Sequence, residues 1–242
     1  MRFFCGLHQP SDAQHFSACF VSVNRLRNRK GPFQVGDWIM DSGAFTEIST
    51  HGAYRHSVAE YAAEIRRWAT NGNLLAAVAQ DWMCEPWIVK KTGLSVPEHQ
   101  RLTIERYDAL QAEDTAGVYV LPVLQGYAPA DYVAHIRAYG ERLARGAWVG
   151  VGSICKRNSS PRAIEAVLLA IYGERPDLQL HGFGLKVTAL RSALVFDLLA
   201  TADSMAWSYA ARMKGLNGND WREAKRWMRG IEGVPRQMSW VF

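Results

Sequence analysis

No two of the four cysteines (Cys5, Cys19, Cys84 and Cys155) lie within ten residues of one another, so the chain carries no C-x-x-C zinc signature. His51 and His56 stand five apart without the H-E-x-x-H pattern, which leaves them as surface residues. The opening residues "MRFFCGLHQP" hold no apolar signal segment, and no run approaches the ~18 apolar residues a membrane helix needs. These gaps point to a cytosolic protein with reduced thiols and no membrane partner. No internal repeat and no low-complexity linker interrupts the 242 residues, so one domain is expected. "GVGSIC" and "GFGLKV" have Cys155 and Val187 where G-x-G-x-x-G needs its third glycine, which argues against a dinucleotide site.

What is present is a globular composition, 48% hydrophobic and 21% charged, with a net charge of +5. That charge suits a polyanionic partner without requiring one. Nine tryptophans are many for this length, and aromatic rings stack on bases as well as filling cores.

Eight short apolar segments end in polar or glycine-rich punctuation: 3–8, 19–23, 38–43, 74–81, 118–126, 148–153, 178–184 and 198–204. Continuous apolar runs without alternation suit strands buried on both faces. Helical stretches lie between most of them. Ser57-Val-Ala-Glu60 and Ser95-Val-Pro-Glu98 are capping boxes, followed by the apolar faces Val58, Tyr61, Ala62, Ile65 and Ile104, Tyr107, Leu110. Ser160-Pro161 opens another helix that Gly173 is placed to close, and Asp220-Trp-Arg-Glu223 caps the last. The alternation predicts an α/β fold, a single (β/α)8 TIM-like barrel over 1–242, with a doubly wound sheet as the alternative. Little helix separates the first two strands.

In a parallel barrel the chemistry collects at the C-terminal ends of the strands. Those ends read Asp41-Ser42-Gly43, Asp81, Gln125-Gly126, Gly150-x-Gly152, His181-Gly182-x-Gly184 and Asp203-Ser204. Each acid taken alone can be a helix N-cap, and Gln125-Gly126 can be a turn. His181 reads as a core histidine or one supporting the site. Together, glycines admit a planar ligand close to the backbone. An amide and a carboxylate read the edge of a nucleobase, and two further carboxylates suit substitution at a sugar carbon.

The ordered series is similar to that of the tRNA-guanine transglycosylases. "DSGAF" resembles their D-S-G-G-F, "QDWMCEP" their D-E-C-x-P region, "VLQGY" their V-Q-G-G and "VGVGS" their glycine-rich strand. "HGFGLK" and "ADSMAWSYAAR" stand where their last two strands would be. The resemblance spans roughly residues 38 to 212. It departs in two places. Those enzymes carry a C-x-C-x-x-C…H zinc site after the last strand, and here none of the 39 residues after Asp203 is Cys or His. Ala44 also replaces the second glycine. Both departures, with "VNRLRNRK" and "WIMDSGAF", resemble the DpdA family, paralogues that insert 7-deazaguanines into DNA.

The resemblance implies a barrel without the zinc-binding subdomain, and exchange of guanine in DNA for a 7-deazaguanine such as 7-cyano-7-deazaguanine. It implies Asp203 as nucleophile, Asp41 as acid/base, and Ser42, Asp81, Gln125, Gly150 and Gly152 as the base pocket. No metal or nucleotide cofactor is needed. The implied partners are DNA and the free 7-deazaguanine base; a helper protein that opens the duplex stays open. Phosphate contacts are expected from Arg25, Arg27, Arg29, Lys30, Lys156, Arg157, Arg212 and Lys214. Arg222, Lys225, Arg226 and Arg229 add one face of the last helix, which can equally be a solvated face. A zinc-free tRNA transglycosylase, a base-excising hydrolase and a non-catalytic nucleic-acid-binding subunit are the rivals; the pair Asp41 and Asp203 speaks against the last.

Overall fold

The computed structural model describes residues 1–157 and 160–232. Among the described residues nine strands are formed: β1 (Arg2–Leu7), β2 (Ala18–Ser22), β3 (Asp37–Asp41), β4 (Asn73–Val78), β5 (Tyr119–Leu121), β6 (Val123–Leu124), β7 (Trp148–Val151), β8 (Gln179–Gly182) and β9 (Leu199–Ser204). The helices are α1 (Ala44–His51), α2 (Val58–Trp68), α3 (Pro86–Thr92), α4 (Val96–Gln111), α5 (Pro129–Tyr139), α6 (Pro161–Glu174), α7 (Val187–Leu190), α8 (Ala193–Leu198), α9 (Ala206–Met213) and α10 (Trp221–Glu232).

All the strand pairs are parallel, in the order β5-β4-β3-β2-β1-β9-β8-β7-β6. The two edges of this sheet are neighbours in the chain. The segment expected as one strand over 118–126 is broken at Pro122, which has no N–H to give a ladder. On one side of the break Ala79 N–H donates to Leu121 O at 3.0 Å. On the other, Gly150 N–H donates to Pro122 O at 2.8 Å and Gly152 N–H to Leu124 O at 2.9 Å. The sheet therefore rolls into a nearly closed barrel, and the doubly wound alternative falls.

Side-chain alternation sorts the strands into two faces. Phe4, Phe20, Ile39, Ala76, Val78, Leu121 and Val123 pack together from six different strands, which places them inside the barrel. Their sequence neighbours Cys5, Val21, Met40, Ala77 and Leu124 belong to the larger core between barrel and helices. Both faces are apolar, as the unbroken hydrophobic runs require.

The helix starts follow the capping chemistry. Ser57 and Ser95 each form the reciprocal pair with Glu60 and Glu98. Tyr61, Ala62 and Ile65, then Ile104, Tyr107 and Leu110, are buried. Asp220 Oδ1 accepts the Arg222 N–H at 2.9 Å at the head of α10, while Glu223 turns to Arg226 instead of completing a box. Gly173 does not close α6. The helix passes through it to Glu174, and Arg175 leaves the helical region at φ −142°, as the following Pro176 demands. Only a short 3₁₀ turn, Pro10–His15, separates β1 from β2, and only Val23–Arg25 is helical between β2 and β3.

Candidate active site

The period of two decides which strand-end residues meet. Asp41 follows Ile39 by two and so shares its inward face. Asp203 is flanked by Ala202, which faces the helices, and itself points in. Gln125 follows Val123, and Gly152 follows Gly150, in the same way. These residues, with Asp81 from the segment after β4, line one cavity of about 320 Å³ at the C-terminal mouth of the barrel. That volume is at the small end of ~300–1,000 Å³ for small-molecule sites. Phe20, Phe45, Met83, Phe183 and Met205 supply apolar walls.

None of the three acids is a helix N-cap. Gly43, Glu85 and Met205 hold the cap positions of α1, α3 and α9. Gly43 is at φ 76°, and a Cβ there would meet Asn24 Nδ2 at 2.5 Å, so glycine lets the chain turn sharply behind Asp41.

Burial pushes Asp41 up to about 6, and the nearby Asp203 charge adds to the rise. The Ser22 hydroxyl and the N–H groups of Gly43 and Ser42 hydrogen-bond it and hold the rise down. Asp81 is pushed up to about 7, first by burial and then by the charges of Asp41 and Glu85; the bond from Gln125 opposes this. Asp203 is 5% exposed. Its Oδ1 accepts the Gly184 N–H at 3.1 Å and lies 3.3 Å from His181 Nε2.

A polar chain runs behind the cavity. Gln125 Nε2 donates to Asp81 Oδ2. Ser153 Oγ lies 2.7 Å from Gln125 Oε1 and 3.0 Å from Glu85 Oε2, and accepts the Cys84 N–H at 2.9 Å. Burial raises Glu85 as well. Gly152 makes this chain feasible, since a Cβ there would stand 2.1 Å from Gln125 Nε2.

The expected base pocket is therefore brought together in Asp81, Gln125 and Gly152. Gly150 does not line the cavity. It makes room for Phe183, whose ring would lie 2.4 Å from a Cβ, and Phe183 forms the wall. Ser42 is buried behind Asp41 and acts on it through its N–H. Glu85 and Ser153 were missed. Glu85 was visible only as an acid before Pro86, and Ser153 only as the last residue of "VGVGS". His181 is buried completely beside Asp203, in keeping with a supporting role.

The basic residues divide into groups. Lys156 and Arg157 stand at the mouth, Lys156 Nζ 5.0 Å from the Phe45 ring and the Arg157 guanidinium 4.3 Å from the Tyr127 ring. Arg25 and Arg212 are exposed, and their charges act on His8, just beyond β1. Arg27 is half-buried, and Arg29 is half-exposed and donates to the carbonyls of Gly31 and Pro32. Lys30 is exposed. Arg222, Lys225, Arg226 and Arg229 do share a face, where they line a groove with Trp221 apart from the cavity; Lys214 lies with Arg226 in a neighbouring groove. Among the described residues no cluster of His, Cys, Asp and Glu is placed to hold a metal, and no helix is long and apolar enough to cross a membrane.

A parallel barrel whose strand ends bring three carboxylates and an amide into one cavity has the form of a barrel-enzyme site. The family model for DpdA, DeoxyPurine in DNA protein A, matches residues 1–230, and the chain belongs to that family. It thereby takes a transglycosylase-like function in DNA modification, with DNA as substrate. No curated protein matches the chain.

Proposed function

We propose that this protein is a DNA guanine transglycosylase that replaces guanine with a 7-deazaguanine, such as 7-cyano-7-deazaguanine, through a covalent glycosyl-enzyme. The observation that carries the reading is the convergence of Asp41, Asp81 and Asp203 on one cavity in a DpdA-family chain. Counting β5 and β6 as one strand interrupted at Pro122 gives eight strands, which supports reading the chain as one (β/α)8-like domain with 3₁₀ turns in place of the first two helices.

In the first half-reaction an Asp203 carboxylate oxygen attacks C1′ of the deoxyguanosine. The C1′–N9 bond breaks with its electron pair on the base, and the Asp41 carboxyl gives a proton to the departing guanine. In the second, the Asp41 carboxylate takes the ring N–H proton of the incoming 7-deazaguanine. That nitrogen attacks C1′ and breaks the C1′–O bond to Asp203. Two inversions retain configuration, and Asp41 and Asp203 end as they began. An acid raised to about 6 suits a group that must give and take a proton in turn near neutral pH. Asp81 accepts from the N–H edge of the purine, and Gln125 fixes the position of Asp81.

The test is release of labelled guanine from DNA on addition of free 7-deazaguanine bases, with nucleoside mass analysis of the product. Release with a deazaguanine nucleoside in its place is expected. Release leaving abasic sites without added base supports the hydrolase, and faster exchange on tRNA than on DNA overturns the DNA assignment.

A further inference from the structure

The mouth of the cavity is rimmed by exposed aromatic rings. Phe45, in the first turn of α1, lines the cavity yet is 46% exposed. Trp87, in the first turn of α3, is 43% exposed and stands edge-on to Phe45 at 6.1 Å. Tyr127 follows Gln125 and Gly126 directly and is 43% exposed, and Tyr209 on α9 is 56% exposed. Scattered single exposed rings need no explanation. These four belong to segments that leave the C-terminal ends of the barrel strands, and three of them have a cation alongside. Lys156 lies by Phe45 and Arg157 by Tyr127, while Lys186 Nζ is 5.7 Å from the Tyr209 ring.

Alternating rings and cations are what an unpaired nucleic-acid strand requires. Base faces stack on the rings, and phosphates meet the cations. A duplex hides its base faces, so it could use the cations but not the rings. We infer that the rim binds an unpaired DNA strand, with the target nucleotide in the cavity and its flanking bases stacked on Phe45, Trp87, Tyr127 and Tyr209. This rests on reading the cavity as a base-exchange site, and it adds the form of the substrate: a strand already open on arrival, or a duplex opened before the base is reached.

The test measures binding and exchange separately. Fluorescence anisotropy of a labelled single strand and of its duplex is followed for wild type, Trp87→Ala, Tyr127→Ala and the ring-preserving Tyr127→Phe, each checked for folding by thermal melting. Wild type should bind the single strand at least about tenfold more tightly than the duplex. Each alanine variant should weaken single-strand binding by about 5- to 150-fold, the range for loss of one stacked base. Tyr127→Phe should stay near wild type. Equal affinity for strand and duplex, with folded alanine variants unaffected, would overturn the inference even if exchange proceeds normally. Ring-dependent strand binding without exchange on any DNA would leave the surface standing and remove the transglycosylase reading.

Discussion

The His181 ring faces the Asp203 carboxylate, with Nε2 3.3 Å from Oδ1 and its other nitrogen 2.9 Å from Thr201 Oγ1. The ring is held among Phe20, which stacks on it at 5.6 Å, and the edges of Phe4, Trp148 and Phe183. Gly184 N–H reaches the same Oδ1. The carboxylate is thus held through Oδ1, and Asp203 lines the cavity. Such a rigid seat suits the nucleophile role proposed for Asp203, because misplacement by an ångström is costly.

Asp203→Ala is expected to abolish base exchange while leaving the melting temperature close to wild type. A covalent protein–DNA adduct, trapped on denaturing gels, should form with wild type and be missing in the variant. His181→Phe keeps the packing and removes the contact to Oδ1. It should lower kcat on the order of 10- to 100-fold, the worth of a hydrogen bond to a charged group, with DNA affinity unchanged. An Asp203→Ala protein with wild-type exchange would assign the attack elsewhere.

Asp41→Asn preserves shape and removes the transferable proton. Exchange should fall roughly 10²–10⁴-fold, the usual contribution of a positioned acid or base. DNA binding should persist. If binding collapses while turnover of bound complex stays normal, Asp41 is a structural residue of the β3–α1 turn.

The parts of this site carried by local rules were legible in advance. An Asp-Ser pair at the end of an apolar run marked both Asp41 and Asp203 as strand-end acids, and the capping boxes at Ser57 and Ser95 marked the helices around them. What depends on side-chain reach was not legible. Gly150 and Gly152 look alike in sequence, yet one makes room for Phe183 and the other for Gln125. Glu85 joins the polar chain because the segment after β4 folds back toward Ser153, 68 residues later in sequence. The break at Pro122 follows from its missing N–H, but the closure it permits depends on partners in β4 and β7.

Asp81 makes the protein less stable where it is ionised. Its pKa is raised from 3.8 to about 7, so the folded state holds a proton that the unfolded state releases across that window. Stability must fall as pH rises through it, and the penalty is complete above about pH 7. Asp81→Asn removes the penalty. Urea unfolding at pH 8 should show a gain on the order of 2–4 kcal/mol over wild type, shrinking toward zero near pH 4. Base affinity should be lost at the same time, since an amide offers the purine edge a weaker acceptor. An equal change in stability at both pH values would show that Asp81 does not titrate in this way.

The last prediction follows from counting protons around Ser153. Its backbone is at φ 55°, an unusual conformation for serine, and its hydroxyl stands between two acceptors, Gln125 Oε1 and Glu85 Oε2. One hydroxyl proton can satisfy only one of them. Gln125 turns its Nε2 to Asp81, so its Oε1 must accept from Ser153, and Glu85 must then donate. This arrangement asks for a proton on Glu85 and leaves Asp81 Oδ2 as an acceptor from Gln125. Burial raises the pKa of Glu85, and the Ser153 contact and the charges of Lys156 and Arg157 oppose that rise. Glu85→Gln keeps a donor toward Ser153 and should hold KM for the free base within about threefold. Glu85→Ala leaves the chain without its end and should raise KM on the order of tenfold, with kcat less affected, the worth of one buried hydrogen bond. If Glu85→Gln is as damaging as Glu85→Ala in steady-state exchange assays, Glu85 works as an anion, and the proton of this chain resides on Asp81 instead.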